Sequence, residues 1–186
     1  MSQHFWKWIL YKVMGWKTEI TVDLPEKCII CLAPHTSNMD FVIGQLFARA
    51  EGMKPNFLMK KEWFLWPLGP IFRRWGGIPV YRKQKHTSMT EVLTQTARDE
   101  EHFVLCITPE GTRSLNAEWK KGFYYIALGA QIPVLLYGLD YERKLIQCTK
   151  SMVPKGDIEQ EMKEIKLYFK DMKGKYPENF TIGDIE

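Results

Sequence analysis

The chain has 186 residues, which is enough to bury a sizeable core in one domain or in two small ones. Hydrophobic residues make up 45% of it, and that fraction argues against a disordered chain. The formal net charge is only +4, and there is no arginine-rich run or interleaved basic and aromatic stripe, so we do not expect nucleic acid as a partner.

The amino-terminal segment 4–17 is predicted to form an amphipathic helix. Such a helix suits a membrane surface, where its lysines reach anionic headgroups, but it can also pack on its own domain. We favour membrane contact. The segment is too short and too interrupted by lysine for a secretory signal, and no apolar stretch reaches the roughly 18 to 20 residues that span a bilayer. At about 100° per residue, the apolar face of this helix carries Phe5, Trp6, Ile9, Leu10, Val13 and Trp16.

Strand and helix patterns then alternate along the chain, which predicts a single α/β domain spanning residues 1–186 with a mostly parallel or mixed central sheet flanked by helices. Thr36, Ser37 or Asn38 is the candidate N-cap of the first of these helices, and Ser88 with Glu91 forms a capping box for the second. We predict strands at 27–33, 56–60, 76–82, 102–111, 131–140 and 144–150, and helices at 38–50, 88–101, 116–130 and from Asp157 onward.

Aromatic residues crowd segment 62–77, which reads EWFLWPLGPIFRRWGG. Rings beside arginines suit a membrane–water interface, where the ring bodies are buried and the cations meet lipid headgroups. The same composition suits the edge of an ordinary core, so both interpretations stay open.

Cys28 and Cys31 form a CxxC pattern, but they lie within the predicted buried strand 27–33. Zinc would need two further ligands at suitable spacing, and none follows. We therefore interpret the four cysteines as small buried residues of a protein in a reducing compartment, and we expect no metal.

His35 and Asp40 interrupt the apolar sequence between the first strand and the helix that follows it. On one continuous helix they would stand about 140° apart, but a loop histidine can touch an aspartate in the first helical turn. Such a carboxylate fixes the tautomer of the imidazole and leaves its other nitrogen free to accept a proton. An unrelated surface histidine and an ordinary helix-start aspartate are the plainer alternative.

A second polar stretch, TPEGTRS at 108–114, lies where the fourth predicted strand runs into a glycine turn. Gly111 permits a tight turn whose exposed backbone N–H groups can hold an anion or a developing oxyanion. Arg113 can bind phosphate in a bidentate manner, and Glu110 can orient its neighbours. Arg82, at the end of the third predicted strand, is a further candidate, although the same residues could simply form a turn and a strand end.

The patterns at 35–40 (His-x4-Asp), 77–82 (Gly-Ile-Pro-Val-x-Arg) and 109–114 (Pro-Glu-Gly-Thr-Arg-Ser), in this order and spacing, resemble the motifs of the glycerolipid acyltransferase family. The best-known members of that family are the 1-acyl-glycerol-3-phosphate acyltransferases. Segment 59–82, WKKG at 119–122 and IPVLLYG at 132–138 are also similar to family segments. The resemblance covers about residues 28–140, the core that bears the motifs.

The resemblance implies transfer of a fatty acyl group from a thioester, on coenzyme A or acyl carrier protein, to a lysophospholipid hydroxyl, most commonly that of 1-acyl-glycerol-3-phosphate. No further cofactor is implied. His35 is then the general base and Asp40 its orienting partner, and the hydroxyl attacks directly, without a covalent acyl-enzyme. The implied substrate-binding residues are Arg82, Glu110, Gly111, Thr112 and Arg113, with Lys60 and Lys61 as possible phosphate contacts.

The implied partner is a lipid membrane, with the enzyme peripheral on its cytoplasmic side. Three departures from the family pattern leave the identity of the acceptor open. Pro34 stands where the family commonly has asparagine, and Thr108 stands where it commonly has phenylalanine. Tyr81 stands where an acidic or amide residue is often found. The alternatives are an amino-lipid or glycerol phosphate as acceptor, or a membrane lipid-binding protein without catalysis.

Overall fold

A computed structural model describes residues 2–65, 67–80 and 88–185. These residues form one mixed sheet with helices on both faces, as the alternating pattern predicted. The strands are β1 (Lys17–Ile20), β2 (Lys27–Ala33), β3 (Asn56–Lys60), β4 (Gly77–Val80), β5 (Phe103–Ile107), β6 (Val134–Asp140), β7 (Leu145–Cys148) and β8 (Ser151–Met152).

The helices lie between these strands and at both ends of the described chain. The α-helices are α1 (Gln3–Lys7), α2 (Asn38–Ala50), α3 (Gly69–Arg74), α4 (Met89–Asp99), α5 (Gly122–Ala130) and α6 (Ile158–Tyr168). A π-helical stretch, Trp8–Val13, continues α1, and short 3-10 turns occupy Lys61–Phe64 and Pro177–Asn179. None of the helices within the described ranges is both long and apolar enough to cross a bilayer.

The strand order is β1-β7-β6-β2-β5-β3-β4, with β8 beside β6. β2 lies between β5 and β6 and runs parallel to both, and β3 runs parallel to β5 and β4. β7 and β8 are antiparallel to β6. The carboxyl ends of β2 to β6 therefore meet at one edge of the sheet.

Each face of the sheet has its own apolar core. Alternate residues of β2 enter the two cores: Ile29 and Cys31 pack with α4, α5 and α6, whereas Cys28 and Ile30 pack with α2 and the amino-terminal helix. This two-sided burial explains the nearly continuous apolar run that predicted a central strand.

The amino terminus differs from the prediction. The helix ends at Val13, before Gly15, whose φ of +71° is a left-handed conformation that a glycine adopts without strain. The predicted apolar face is also divided, since Leu10 and Trp16 are buried in the core on the α2 side whereas Phe5 and Val13 are exposed. Packing on the domain, the alternative that we did not favour, is correct for this buried part.

The structure differs from the prediction at two further places. β1 was not predicted, because all four of its residues are exposed and its sequence has no apolar alternation. The helix predicted at 116–130 begins only at Gly122. Asn116 closes the loop before it, because its side chain donates to the carbonyls of Glu110 and Glu118.

Candidate active site

Two polar loops lie side by side at the carboxyl edge of the sheet. One begins just after β2 and carries His35, and the other follows β5 and contains residues 108–114. Their proximity follows from the parallel pairing of β2 with β5, in which Cys31 lies opposite Ile107. Such an edge is where α/β sheets commonly form their sites.

Asp40 is fixed by the start of α2. Ser37 is the N-cap, and Asp40 accepts hydrogen bonds through its Oδ2 from the backbone N–H groups of Thr36 (2.7 Å) and Ser37 (2.8 Å). Asp40 is completely buried. A buried carboxylate at a helix amino terminus is stabilised by these N–H donors and by the helix dipole.

His35 lies against this carboxylate, as its place in the loop predicted. Its Nδ1 is 3.2 Å from Oδ2 of Asp40, and 14% of the His35 side chain is exposed. The Nδ1–H direction does not point at Oδ2, so Nδ1 has no well-aligned hydrogen-bond acceptor in the described structure. Catalytic hydrogen bonds are often loose before substrate binds and tighten in the complex.

Glu110 connects the two loops. Its Oε1 accepts a hydrogen bond of 2.8 Å from the backbone N–H of His35. Its Oε2 has no hydrogen-bond partner among the described residues. Burial raises the pKa of Glu110 to about 7, because a carboxylate loses its hydration here. Glu110 thus holds the backbone of the histidine loop.

Gly111 forms the tight turn that the sequence predicted, with φ of +66°. Its own N–H donates to the carbonyl of Thr108 at 3.1 Å and is therefore used within the turn. Of the N–H groups around it, those of Thr112 and Arg113 make no intramolecular hydrogen bond in the described structure, so they could receive an external anion.

Two of the predicted cations, Arg113 and Lys60, occupy the same edge of the sheet, and neither makes a hydrogen bond or an ion pair with His35 in the described structure. Arg113 is exposed, and Lys60 is the exposed last residue of β3, which is parallel to β5. Lys61 starts the 3-10 turn that follows. Arg82 lies outside the described residues.

The family model described as Acyltransferase matches residues 17–136 of the chain. The match begins at β1, extends into β6 and includes both polar loops.

The chain belongs to the acyltransferase family.

A solved structure supports the fold of this acyltransferase. The crystal structure of the 1-acyl-sn-glycerophosphate (LPA) acyltransferase PlsC from Thermotoga maritima superposes with a TM-score of 0.61 at 18% sequence identity. The alignment covers 89% of this chain and 74% of that chain. No curated protein sequence matches the chain. The resemblance that the sequence motifs predicted is confirmed at the level of the family and of the fold.

An apolar cavity of about 80 Å³ lies between α2 and the sheet. Asp40 lines one part of it, and the cavity extends along the face of α2 that carries Gly44. A Cβ atom added at Gly44 would meet no atom within 4 Å, so the helix leaves open space at that position. The rest of the wall includes Leu32, Phe41, Phe47, Cys106, Tyr137 and Leu139.

The cysteines of the acyltransferase are placed as structural residues. Cys28, Cys31 and Cys148 are buried, and burial raises the pKa of the Cys106 thiol to about 12. Uncharged thiols of this kind are poor nucleophiles. Among the described residues, no group of three or more histidine, cysteine or acidic side chains could hold a metal ion.

Sequence reasoning missed one residue of the site. Tyr141, directly after β6, donates from its hydroxyl to Oδ1 of Asp40 at 2.6 Å. The sequence offers a weak signal for it, since β6 was predicted and a strand parallel to β2 delivers its next residue to the same edge. A tyrosine at such a place does not by itself predict a contact with an aspartate 101 residues away.

Proposed function

We propose that this acyltransferase transfers a fatty acyl group from a coenzyme A or acyl carrier protein thioester to a hydroxyl of a lysophospholipid, with 1-acyl-glycerol-3-phosphate as the acceptor to test first. The observation that carries the proposal is the pair of His35 and buried Asp40, with Nδ1 and Oδ2 3.2 Å apart, in a chain of the acyltransferase family.

His35 acts as the general base in this mechanism. With Nδ1 facing Asp40, Nε2 is the nitrogen left to take the proton from the acceptor hydroxyl. The oxygen attacks the thioester carbonyl, and the tetrahedral intermediate collapses by breaking the carbon–sulfur bond. The proton on His35 then passes to the leaving thiolate. No acyl-enzyme forms, which agrees with the absence of a thiolate-forming cysteine among the described residues.

The loop at 108–114 binds the two negative charges of the reaction, that of the thioester oxygen in the tetrahedral intermediate and that of the acceptor phosphate. The N–H groups of Thr112 and Arg113 are the donors proposed for the oxyanion, because that of Gly111 is already bonded within its turn. The guanidinium of Arg113, with Arg82 as a second cation, binds the phosphate of the acceptor. Lys60 and Lys61 add positive charge at the same edge, and Glu110 holds the histidine loop.

The apolar cavity beside Asp40 begins the site for an acyl chain. Each buried methylene contributes about 0.8 kcal/mol, so an apolar channel supplies a large share of the binding free energy of a fatty thioester. Gly44 lies in the cavity wall and leaves it open.

A membrane surface supplies the lipid substrates, and we propose that the protein is peripheral on its cytoplasmic side. Exposed Trp8 and Trp63 belong to the amino-terminal helix and to the aromatic segment 62–77. These two segments meet at Arg49, whose guanidinium lies 5.7 Å from the ring centre of Trp6 and 4.4 Å from that of Trp75. Aromatic side chains beside cations favour the interface between water and lipid.

The experiment that tests the function is a panel of acceptors crossed with both kinds of donor. Purified protein in detergent should release free thiol from a long-chain thioester when a lysophospholipid is present. His35→Ala should lower turnover by about 10²–10⁴-fold, the usual contribution of a general base, with an unchanged circular dichroism spectrum. An absence of thiol release with every lysophospholipid would overturn the proposal, and a preference for an amino-lipid or glycerol phosphate would change the acceptor.

A further inference from the structure

Both carboxylate oxygens of Asp40 have partners, and the two sets of partners come from different parts of the chain. Oδ2 accepts from the backbone N–H groups of Thr36 and Ser37, within its own loop. Oδ1 accepts from the Tyr141 hydroxyl at 2.6 Å. A carboxylate held at one oxygen can still turn about that contact, whereas donors at both oxygens fix its plane.

Tyr141 is itself held from two directions. Its ring meets that of Trp16 edge to face, with the ring centres 5.1 Å apart. Its backbone N–H donates to the carbonyl of Lys173 at 2.8 Å. Burial, with a smaller contribution from Asp40, raises the pKa of the Tyr141 hydroxyl, so this group remains a proton donor at physiological pH.

Residues 173–176, which we call the carboxyl-terminal strap, also reach the histidine loop. Tyr176 donates from its backbone N–H to Oγ1 of buried Thr36 at 3.1 Å. Gly174 packs so closely that an added Cβ would lie 2.7 Å from Oγ1 of Thr36. The strap therefore touches the loop of His35 at Thr36 and the end of β6 at Tyr141. It lies beyond residues 17–136, which the family model matches.

We propose that Tyr141 is a positioning residue for acyl transfer. It fixes the Asp40 carboxylate so that Oδ2 faces Nδ1 of His35, and the carboxyl-terminal strap holds Tyr141 and Thr36 in the places that this requires. The imidazole then keeps its proton on Nδ1 and presents Nε2 to the acceptor. The kinetic part of this inference rests on the proposed function, whereas the geometric part does not.

The test compares Tyr141→Phe with Tyr124→Phe. Phenylalanine keeps the ring contact with Trp16 and removes only the hydroxyl. Tyr124 offers a matched control, because its hydroxyl also donates to a buried carboxylate, that of Glu161 at 2.5 Å, in the core on the other face of the sheet. Both variants lose one hydrogen bond of the same kind, and only one of them touches the histidine–aspartate pair.

The first readout is the tautomer of His35, measured from the ¹⁵N chemical shifts of its imidazole and assigned with His35→Gln. We expect the Nδ1–H tautomer in the wild type and in Tyr124→Phe, and a mixture of tautomers in Tyr141→Phe. The second readout is steady-state kinetics, in which Tyr141→Phe should lower kcat about tenfold with little change in KM. Tyr124→Phe should leave both parameters unchanged.

A second pair of matched variants, both glycine to alanine, tests the role of the carboxyl-terminal strap. Gly174→Ala crowds Thr36, and Gly129→Ala crowds Thr94 at the same distance of 2.7 Å, between α4 and α5. We expect only Gly174→Ala to disturb the His35 tautomer and to lower kcat, even if both variants lose stability.

The outcomes separate the two proposals. A Tyr141→Phe protein with the wild-type tautomer of His35 would overturn the positioning role, whatever its activity. A wild type that transfers no acyl group, but whose tautomer responds to Tyr141→Phe, would overturn the proposed function and leave the positioning role supported.

Discussion

Glu110 is buried, with one carboxylate oxygen unpaired among the described residues, and at the scale of single residues its burial makes it sensitive to pH. Its pKa rises from 4.5 to about 7, chiefly because burial disfavours the charged form. A group whose pKa is raised by folding stabilises the fold fully below its unfolded pKa, and this contribution is lost as the pH rises through the folded pKa. The relevant window is therefore about pH 4.5 to 7.

Glu110→Gln should remove this dependence and keep an oxygen to accept from the His35 N–H. We expect the free energy of unfolding of the wild type, relative to the variant, to fall by on the order of 3 kcal/mol between pH 5 and pH 8. Urea denaturation of both proteins at the two pH values measures the difference, and the other carboxylates cancel in it. Parallel stability curves for the two proteins would contradict the assignment.

The two acidic residues near His35 also show what spacing along the chain can predict. Asp40 is five residues from His35, so the geometry of one loop and one helical turn sufficed to bring them together. Glu110 lies 75 residues away, and it was indicated by the polar stretch at the end of the fourth predicted strand and by the family motif, not by its distance along the chain. Tyr141 belongs to none of the recognised patterns, so its contact with Asp40 required the sheet order.

At the scale of elements, α2 both starts at the histidine loop and forms a wall of the apolar cavity. Its N-cap fixes Asp40. Gly44, which lies one helical turn after Asp40, faces open space. A larger side chain at Gly44 would fill that space.

Gly44→Leu should accordingly shift the acyl preference towards shorter chains. The pair of His35 and Asp40 stays intact, so we expect the rate with short donors to change little while the rate with long donors falls. Competition among saturated thioesters of short, medium and long chain measures the shift. Val42→Leu, an exposed position on the same helix, is the control. An unchanged chain-length profile in Gly44→Leu would show that acyl chains do not enter this cavity.

The exposed aromatic residues of two separate elements lead to a second prediction at this scale, which concerns binding to vesicles. Trp8→Glu and Trp63→Glu should each weaken flotation with anionic vesicles, because a carboxylate replaces an interfacial ring. Leu167→Glu, on the exposed surface of α6, is the matched control. Equal flotation of all three variants would refute the proposed membrane surface.

The elements that the sequence predicted are those whose own residues carry the signal. β2 has a continuous buried run, and α2 and α4 begin with capping residues that the structure confirms. β1 and β8 are recognisable only by their partners, since β1 is fully exposed and β8 has two residues. The 3-10 turn Lys61–Phe64 overlaps segment 62–77 and α3 lies within it, and there the density of aromatic residues obscures any period.

At the scale of the whole molecule, the amino-terminal helix packs into the core with one side and leaves other side chains exposed. Leu10 is completely buried in the core on the α2 side. Leu10→Ala should therefore lower the free energy of unfolding by about 2–5 kcal/mol, as for other buried leucines. Val13→Ala, at an exposed position three residues away, should change it little. Chemical denaturation compares the two, and a negligible loss in Leu10→Ala would show that this helix is not docked in solution.

The order of strands in the sheet also bears on the synthesis of the protein. β1 is synthesised before the other described strands of the sheet, yet its partner is β7, which emerges about 130 residues later. The core that contains Leu10 and Trp16 also includes Leu135 and Ile146, which are translated equally late. The tryptophan and phenylalanine rings of segment 1–17 therefore cannot dock fully on their own domain until these late residues have been synthesised.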